Sequence, residues 1–272
     1  MTLIVHSKTI AEWFNGKDPF RLIDCAQGKV VRCKDGRKTQ RYEINGEGFY
    51  FKFHDGIGWS EIIKNLLQLR LPILGARNEW QAINRFHQLG LNTMTAVAFG
   101  ERGADPSRKQ SFLVTEELTN VISLEDFMEP WAKTPPEPSM KRVLIKKVAQ
   151  IVRIMHNNGI NHRDLYICHF LLDINSVAEN INNPRLNLID LHRAQMRNKV
   201  PMRWLVKDLG SLYFSVLNLG FSKEDIYRFL AVYFQKPLRD IFSEHKMLLS
   251  LSKSKAKKLY IRDFKTAPAF PL

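Results

Sequence analysis

Two aspartates at the predicted ends of short strands are the residues whose types and spacing best fit a chemical reaction. Asp164 ends the segment INHRD at residues 160–164, and Asp190 comes directly after the run LNLI at 186–189. Phosphoryl transfer from ATP needs two such carboxylates, one to orient the attacking hydroxyl and accept its proton and one to hold Mg²⁺ beside the phosphates. We therefore predict that Asp164 is the catalytic base and that Asp190 binds the metal, at the ends of two neighbouring strands.

A lysine and a glutamate complete the set of groups that this reaction requires. Lys52 lies in a β-rich run at 49–53, where alternation lets its ammonium group point into a cleft and bind the α- and β-phosphates of the nucleotide. Glu79 stands near the start of the following helix and is the natural partner of that lysine. The alternatives are a solvated lysine on a polar strand face and a surface glutamate favoured at a helix N-terminus.

Three further side chains are expected to support the two aspartates. His162 and Arg163 shape the backbone around the catalytic aspartate, and Asp208 lies early in a helical stripe where it could accept hydrogen bonds from that backbone. Alternatives remain open, namely that the catalytic aspartate only forms a turn, that Asp190 pairs with Arg193 or Arg163, and that Asp208 is a plain exposed helix residue.

Composition places the chain among globular proteins that meet anionic partners. It has 272 residues, 44% of them hydrophobic, and a formal net charge of +14. This length is enough for one large domain or two lobes sharing a cleft. The charge favours nucleotides, nucleic acid, an acidic protein or an anionic membrane face. Three cysteines without metal-ligand spacing indicate a reducing compartment, and neither a signal peptide nor a run of 18–20 apolar residues is visible.

Periodicity predicts a β-rich half followed by a helical half. Strands are expected between 29 and 53 and again at 94–100 and 111–115, with helices at 59–71 and 77–89 between them. After residue 118 the pattern becomes helical, with a long amphipathic helix at 139–157. A strand pair at 170–174 and 185–189 surrounds an Asn-rich loop, and helical stripes follow from 205 to 236.

Together these residues resemble the protein-kinase-like superfamily and, more narrowly, the lipopolysaccharide core heptose(I) kinases, the Kdo/WaaP-type sugar kinases of Gram-negative bacteria. The resemblance covers nearly the whole chain and is strongest at 161–172 and 188–194. It implies an α+β, two-lobed kinase-like fold. The small antiparallel-sheet N-lobe (1–118) grips the nucleotide, and the mainly helical C-lobe (119–272) carries the catalytic loop, the metal site and a basic tail.

The resemblance gives the same roles to the lysine, the glutamate and the two aspartates, and it adds three positions. Glu116 and Leu118 fall in the segment where the adenine-binding hinge belongs. His169 stands where protein kinases place a metal-binding asparagine. Because Mg²⁺ prefers oxygen ligands, three explanations are open. Either one metal ion suffices, or another oxygen takes the place of the asparagine, or His169 contacts a phosphate. The loop before Lys52 also lacks the full G-x-G-x-x-G pattern of protein kinases.

The implied donor is ATP with Mg²⁺, and the implied acceptor is the first heptose of the lipopolysaccharide inner core. The protein is then expected to be cytoplasmic and peripheral at the cytoplasmic face of the inner membrane. An anionic membrane surface would be met by the basic tail (253–265) or by an amphipathic stretch at 59–71. The alternative for that stretch is packing on the small lobe. An acidic protein partner fits the charge, and nucleic acid is not expected because no recognition motif is present.

Two other functions remain open at this stage. The first is a kinase-fold pseudoenzyme that binds a nucleotide or an acidic partner as a scaffold, with His169 as the sign of lost metal chemistry. The second is a small-molecule kinase of the aminoglycoside type, because a fold alone does not fix the acceptor.

Overall fold

The structure of the protein is a computed structural model that describes residues 1–25, 28–34, 36–67 and 75–271. Contacts within the chain define two compact units. The first unit holds residues 1–85 and 94–118, and the second holds residues 86–93 and the chain from 119 onward.

A six-stranded antiparallel sheet is the centre of the first unit, with the strand order β1-β5-β6-β4-β3-β2. In chain order its elements are β1 (Thr2–Val5), α1 (Lys8–Phe14), α2 (Pro19–Cys25), β2 (Lys29–Lys34), β3 (Arg37–Ile44), β4 (Glu47–Asp55), α3 (Gly58–Leu67), α4 (Arg77–Gln88, whose last three residues are counted in the second unit), β5 (Ala96–Arg102) and β6 (Gln110–Glu116). The strands predicted between 29 and 53, at 94–100 and at 111–115 are confirmed with shifts of a few residues.

Alternation along β4 builds the core of this unit. Phe49, Phe51 and Phe53 are buried on one face of the sheet and pack in one hydrophobic cluster with residues of α1 and α2, among them Ile10 and Phe20. The intervening residues of β4 point to the opposite face, since side chains alternate along a strand. The residues opposite this core are therefore the ones available for chemistry.

The N-terminal elements β1, α1 and α2 were absent from the sequence-based prediction. Each of the two helices has seven residues, which is too short to give a periodic signal. One local signal was present, because Ser7 caps α1 by accepting a hydrogen bond from the backbone N–H of Ile10 at 3.3 Å.

The second unit is mainly helical, which together with the sheet of the first unit confirms an α+β fold. From residue 119 onward its elements are β7 (Val121–Ser123), α5 (Leu124–Met128), α6 (Pro138–Asn157), β8 (Ile160–Asn161), β9 (Phe170–Asp173), α7 (Ile174–Glu179), β10 (Leu186–Leu188), β11 (Gln195–Met196), α8 (Met202–Val216), α9 (Lys223–Phe234), α10 (Leu238–Glu244) and α11 (Lys246–Phe264). The long helix predicted at 139–157 is α6, and its stripe of Leu144, Val148, Ile151 and Met155 is buried.

The strands that precede the two aspartates belong to two separate small sheets. Strand β10 pairs with β9, which pairs with β7, whereas β8 pairs with β11 in a separate sheet. The strands that precede the two aspartates are therefore not paired with each other. The predicted pairing of β9 and β10 is confirmed, although α7 occupies part of the connection that was predicted as a loop.

The predicted basic tail is a docked helix. Residues 246–264 form α11, which packs along α8 through its buried residues Leu248, Ser252, Ala256 and Leu259. Gly210 of α8 allows this close approach, since a Cβ there would lie 2.7 Å from Cγ of Lys255 and 2.9 Å from the backbone oxygen of Ser252. The basic residues of this segment therefore lie on a helix that is packed against the rest of the second unit.

The predicted amphipathic stretch at 59–71 is only partly described. Helix α3 covers it as far as Leu67, and the remainder lies outside the described residues, as does Asp35 of the turn before Lys52. Ile62 is buried, whereas Trp59 and Ile63 are exposed. None of the helices formed by the described residues combines the length and apolar composition that crossing a bilayer requires.

Candidate active site

Lys52 and Glu79 form the ion pair that the sequence predicted. Lys52 lies on β4 between Thr39 of β3 and Leu113 of β6, on the face opposite the phenylalanine core. Its Nζ is 2.5 Å from Oε1 of Glu79, which lies in the first turn of α4 and is only 2% exposed. A buried carboxylate requires such a cation, so neither residue is the solvated surface group considered as the alternative.

The segment predicted as the adenine hinge ends β6. The side chain of Glu116 is exposed and that of Leu118 is half-buried. The residue between them, Glu117, was missed by the sequence analysis. Its carboxylate accepts hydrogen bonds from Nε (2.7 Å) and Nη2 (2.6 Å) of Arg41 and from the hydroxyl of Tyr50 (3.2 Å), and the bonds from Arg41 hold its pKa below the usual range. These contacts fix the end of the segment to β3 and β4.

Asp208 holds the loop that carries Asp164. Its carboxylate is fully buried and accepts hydrogen bonds from the backbone N–H groups of His162 (2.7 Å) and Arg163 (2.8 Å), as the sequence predicted. Arg163 has a φ of 74°, in the left-handed region that is strained for a residue with a Cβ. The two hydrogen bonds stabilise this conformation directly before Asp164.

A buried histidine and tyrosine extend the network behind Asp208. Nε2 of His156 lies 3.4 Å from Asp208, and its Nδ1 lies 2.7 Å from the hydroxyl of Tyr233. Burial raises the pKa of Tyr233, so its hydroxyl remains protonated and donates to the ring. The sequence analysis assigned no such role to His156, because the tyrosine that fixes its tautomer lies 77 residues away in the chain.

The histidine that precedes Arg163 and Asp164 links two chain segments. Nε2 of His162 donates a 2.9 Å hydrogen bond to the backbone oxygen of Ile189, the residue before Asp190. The ring is completely buried, and this burial lowers its pKa. His162 is therefore neutral at physiological pH and acts as a fixed hydrogen-bond donor between the Asp164 loop and the end of β10.

Asp190 has a φ of 63° and lies between two histidines. Its Oδ1 accepts a 2.5 Å hydrogen bond from Nδ1 of His192, and its Oδ2 lies 3.7 Å from Nε2 of His169. Nδ1 of His169 donates a 2.8 Å hydrogen bond to the backbone oxygen of Asp164. His169 therefore lies against both segments that carry the aspartates, with a hydrogen bond to the backbone of Asp164 and a 3.7 Å approach to the carboxylate of Asp190.

The surroundings of Asp164 include two cations that the sequence analysis did not assign to it. Both carboxylate oxygens accept 2.9 Å hydrogen bonds from Nη1 of Arg193, and Nζ of Lys207 lies 3.6 Å away. Arg193 had been considered as a partner of Asp190 and instead binds Asp164. Sequence spacing gave no signal for this choice, because several arginines are near both aspartates in the chain.

One thiol lies in the same loop as these groups. Cys168 is half-buried between Ile167 and His169, and burial raises its pKa to about 11. It is therefore a protonated thiol at physiological pH and a poor metal ligand. Among the residues that the structure describes, no group of three or more His, Cys, Asp or Glu side chains has the arrangement of a metal site.

A family model and three relatives match this chain. The model is that of the lipopolysaccharide kinase (Kdo/WaaP) family, and it matches residues 23–233. A lipopolysaccharide core heptose(I) kinase WaaP from Pseudomonas aeruginosa is 51% identical over 262 residues, which cover 96% of this chain and 97% of the relative. Proteins of the same name from Escherichia coli and its strain K12 are 49% and 47% identical, each over 92% of this chain and 94% of the relative.

A solved structure is similar over the same extent. It is described as WaaP in complex with acyl carrier protein, has a TM-score of 0.83 and 46% sequence identity, and covers 96% of this chain and 100% of that chain. This similarity confirms the kinase-like fold that the resemblance implied.

Proposed function

Because this chain belongs to the lipopolysaccharide kinase (Kdo/WaaP) family, we propose that it phosphorylates the first heptose of the lipopolysaccharide inner core. ATP is the donor and Mg²⁺ the metal. The observation that carries the proposal is the connected network of the second unit, in which His169 joins the backbone of Asp164 to the carboxylate of Asp190. Such a network brings a base and a metal ligand to one place, as phosphoryl transfer requires.

Asp164 receives the acceptor in this reaction. The heptose hydroxyl donates a hydrogen bond to its carboxylate, and the hydroxyl oxygen attacks the γ-phosphorus of ATP. A phosphorus–oxygen bond forms to the sugar, the bond to the β–γ bridging oxygen breaks, and the hydroxyl proton passes to Asp164. ADP then leaves with the electron pair of the broken bond.

The residues around Asp190 fit a magnesium ion. A carboxylate oxygen is the ligand type that Mg²⁺ prefers, and His192 orients this carboxylate from the other side. Nδ1 of His169 donates to the carbonyl of Asp164, which fixes the ring with its Nε2 3.7 Å from Oδ2 of Asp190. When bound, the metal neutralises the phosphate oxygens.

Lys52 and Glu79 bind the nucleotide in the first unit. The glutamate holds the lysine ammonium in place, so that a compact charge is available for the α- and β-phosphates. Glu116 and Leu118 follow as the strand end that meets the adenine ring, and the Arg41–Glu117 pair keeps that strand end in position.

The test is transfer of labelled phosphate from ATP to deep-core lipopolysaccharide by the purified protein with Mg²⁺. We expect Asp164→Asn and Asp190→Asn each to lower kcat by about 100-fold or more, because they remove a base and a metal ligand. Asp263→Asn, on the exposed surface of α11, is the matched control and should leave kcat unchanged.

Two outcomes of this test would decide for another function. A protein that binds ATP and transfers phosphate to no glycan is a pseudoenzyme, which would contradict the proposal. Transfer to aminoglycosides in preference to lipopolysaccharide would identify a small-molecule kinase. Mass spectrometry of lipopolysaccharide from cells that lack the protein gives an independent check, since the innermost heptose should lose its phosphate.

We further propose that the acidic partner predicted from the net charge is an acyl carrier protein, as in the similar solved structure. The second unit contains an apolar cavity of about 270 Å³ that is suited to an acyl chain. Its lining includes Leu144, Val148, Leu212, Ile226, Leu230 and Leu249. Acyl-loaded carrier protein should elute together with the purified protein from a sizing column, whereas unloaded carrier should elute separately. Co-elution of both forms to the same extent would contradict this role for the cavity.

The site of action follows from the substrate. A protein that phosphorylates an unfinished lipopolysaccharide core with ATP works at the cytoplasmic face of the inner membrane. Its positive charge suits the anionic lipids and acidic sugars found there.

A further inference from the structure

The positive charges around Asp164 outnumber the single negative charge of its carboxylate. Arg193 contacts both of its oxygens at 2.9 Å, and Lys207 lies 3.6 Å from Oδ1. Arg163 adds a third charge near Lys207, and Asp208, the second carboxylate that faces Lys207, already accepts two backbone hydrogen bonds. A partly buried site with surplus positive charge is completed by an anion.

The geometry of Arg193 differs from that of two other arginine–carboxylate pairs in this protein. Arg41 and Arg77 each grip a glutamate with Nε and Nη2, the paired donors that match a carboxylate best. Arg193 instead uses Nη1 alone for both oxygens of Asp164. Within the part of the chain that the structure describes, its Nε and Nη2 make no hydrogen bond. These donors remain free for another oxyanion.

Lys207 likewise has hydrogen-bond donors that could bind an oxyanion. Its side chain is 25% exposed and comes from α8, where it also lies 5.9 Å from the centre of the Trp204 ring. At 3.6 Å from Asp164 it forms an ion pair and no hydrogen bond, and none of its three N–H donors is engaged among the described residues. The charged groups that face it are Asp164, Arg193, Arg163 and Asp208, and burial lowers its pKa.

We propose that Arg193 and Lys207 form an oxyanion site for the phosphoryl group during its transfer to the acceptor hydroxyl. This inference rests on the proposed function, because it assigns two further catalytic residues to that reaction. When the acceptor hydroxyl donates a hydrogen bond to Asp164, the γ-phosphorus that its oxygen attacks lies within reach of any cation that contacts the same carboxylate. The two cations then bind the equatorial phosphoryl oxygens, whose negative charge must be stabilised in the transition state.

The exchange of partners also explains how Asp164 acts as a base. Before the substrates bind, its oxygens are occupied by the two cations. When the phosphoryl oxygens take over these cations, the carboxylate becomes available to accept the proton of the acceptor hydroxyl. The cations themselves neither gain nor lose a proton in this step.

The experiment compares Lys207→Gln and Arg193→Gln with Lys257→Gln and Arg239→Gln, which remove the same charges from exposed positions on α11 and α10. We expect each site variant to lower kcat by about 100-fold or more, the effect of removing one oxyanion donor, with smaller changes in the KM values for ATP and acceptor. The control variants should keep the kcat of the unchanged protein.

A transition-state mimic separates this role from a merely structural one. Aluminium fluoride should tighten ADP binding to the unchanged protein, and this gain should shrink by about 10-fold or more in Lys207→Gln while the affinity for ADP alone is retained. Lys207→Arg should restore part of kcat and move the alkaline limb of the pH profile upward, because arginine stays protonated at higher pH.

The outcomes distinguish the inference from the proposed function. An active unchanged protein whose site variants keep both kcat and the aluminium fluoride effect would overturn the oxyanion site alone. An unchanged protein that transfers no phosphate to lipopolysaccharide would overturn both. Loss of both readouts in the site variants, with the controls active, would support the inference.

Discussion

Arg163 and Asp190 are held in the left-handed backbone region, with φ of 74° and 63°, and both adjoin the proposed chemistry. Such a conformation costs about 1–2 kcal/mol for each residue with a Cβ. It persists beside Asp164 because the carboxylate of Asp208 binds the two N–H groups of that loop. At the residue scale the site is therefore a strained loop stabilised by one buried anion.

Replacing this anion tests its role in holding the loop. Asp208→Asn keeps the shape of the side chain and leaves one acceptor oxygen for the two N–H groups of His162 and Arg163. We expect a loss of about 1–3 kcal/mol in the free energy of unfolding, measured in urea, together with a fall in kcat. Asp263→Asn is again the control, and equal stability of the two variants would show that Asp208 does not hold the loop.

Some of these side chains could be predicted from the sequence and others could not. Asp208, His162 and Arg163 were predictable because backbone hydrogen bonds depend on where a loop meets a helix. The partners of Asp164 were not, since the rotamers of Arg193 and Lys207 decide which carboxylate each one reaches.

At the scale of elements, the short pairing of β8 with β11 sets the position of the loop that carries Asp164. Gly159, with a φ of 74°, accepts a 3.0 Å hydrogen bond from the N–H of Arg197, and a Cβ there would collide with the backbone oxygen of Arg197. The sequence could indicate a turn at this glycine. It could not indicate the pairing, because two-residue strands carry no periodic signal.

Two glycines in the same backbone region separate strain from collision. Gly90 has a φ of 68° and open space where a methyl group would project, whereas a methyl group on Gly159 would meet backbone atoms. We expect Gly90→Ala to cost about 1 kcal/mol of unfolding free energy, and Gly159→Ala to cost at least about 2 kcal/mol more. Thermal unfolding measures both, and similar losses would mean that residues 197–198 do not pack tightly on residue 159.

The molecule as a whole carries a net charge of +14 and an exposed apolar stripe on α3. Trp59, Ile63 and Leu67 recur at every fourth residue of this helix and are 54%, 52% and 80% exposed. An apolar stripe on a cationic protein suits the surface of an anionic bilayer, which is where the proposed acceptor is anchored.

Vesicle binding tests this prediction. The protein should sediment with anionic vesicles at low salt and be released at high salt, because the charged part of the attraction is screened. Replacing Trp59 and Leu67 by serine should weaken binding by about 10-fold or more, since each buried side chain contributes about 1.5–3 kcal/mol. Met247 and Leu251, exposed on α11, are the control positions for the same change.

The raised pKa of Cys168 determines which thiols of the protein react with labelling reagents. A thiol that titrates near 11 is a weak nucleophile at neutral pH, so the loop of the proposed active site resists oxidants and alkylating reagents. Cys25 and Cys33 are exposed and both lie in the first unit. We therefore expect a maleimide dye to label the sheet-containing unit and to spare the thiol of the helical one.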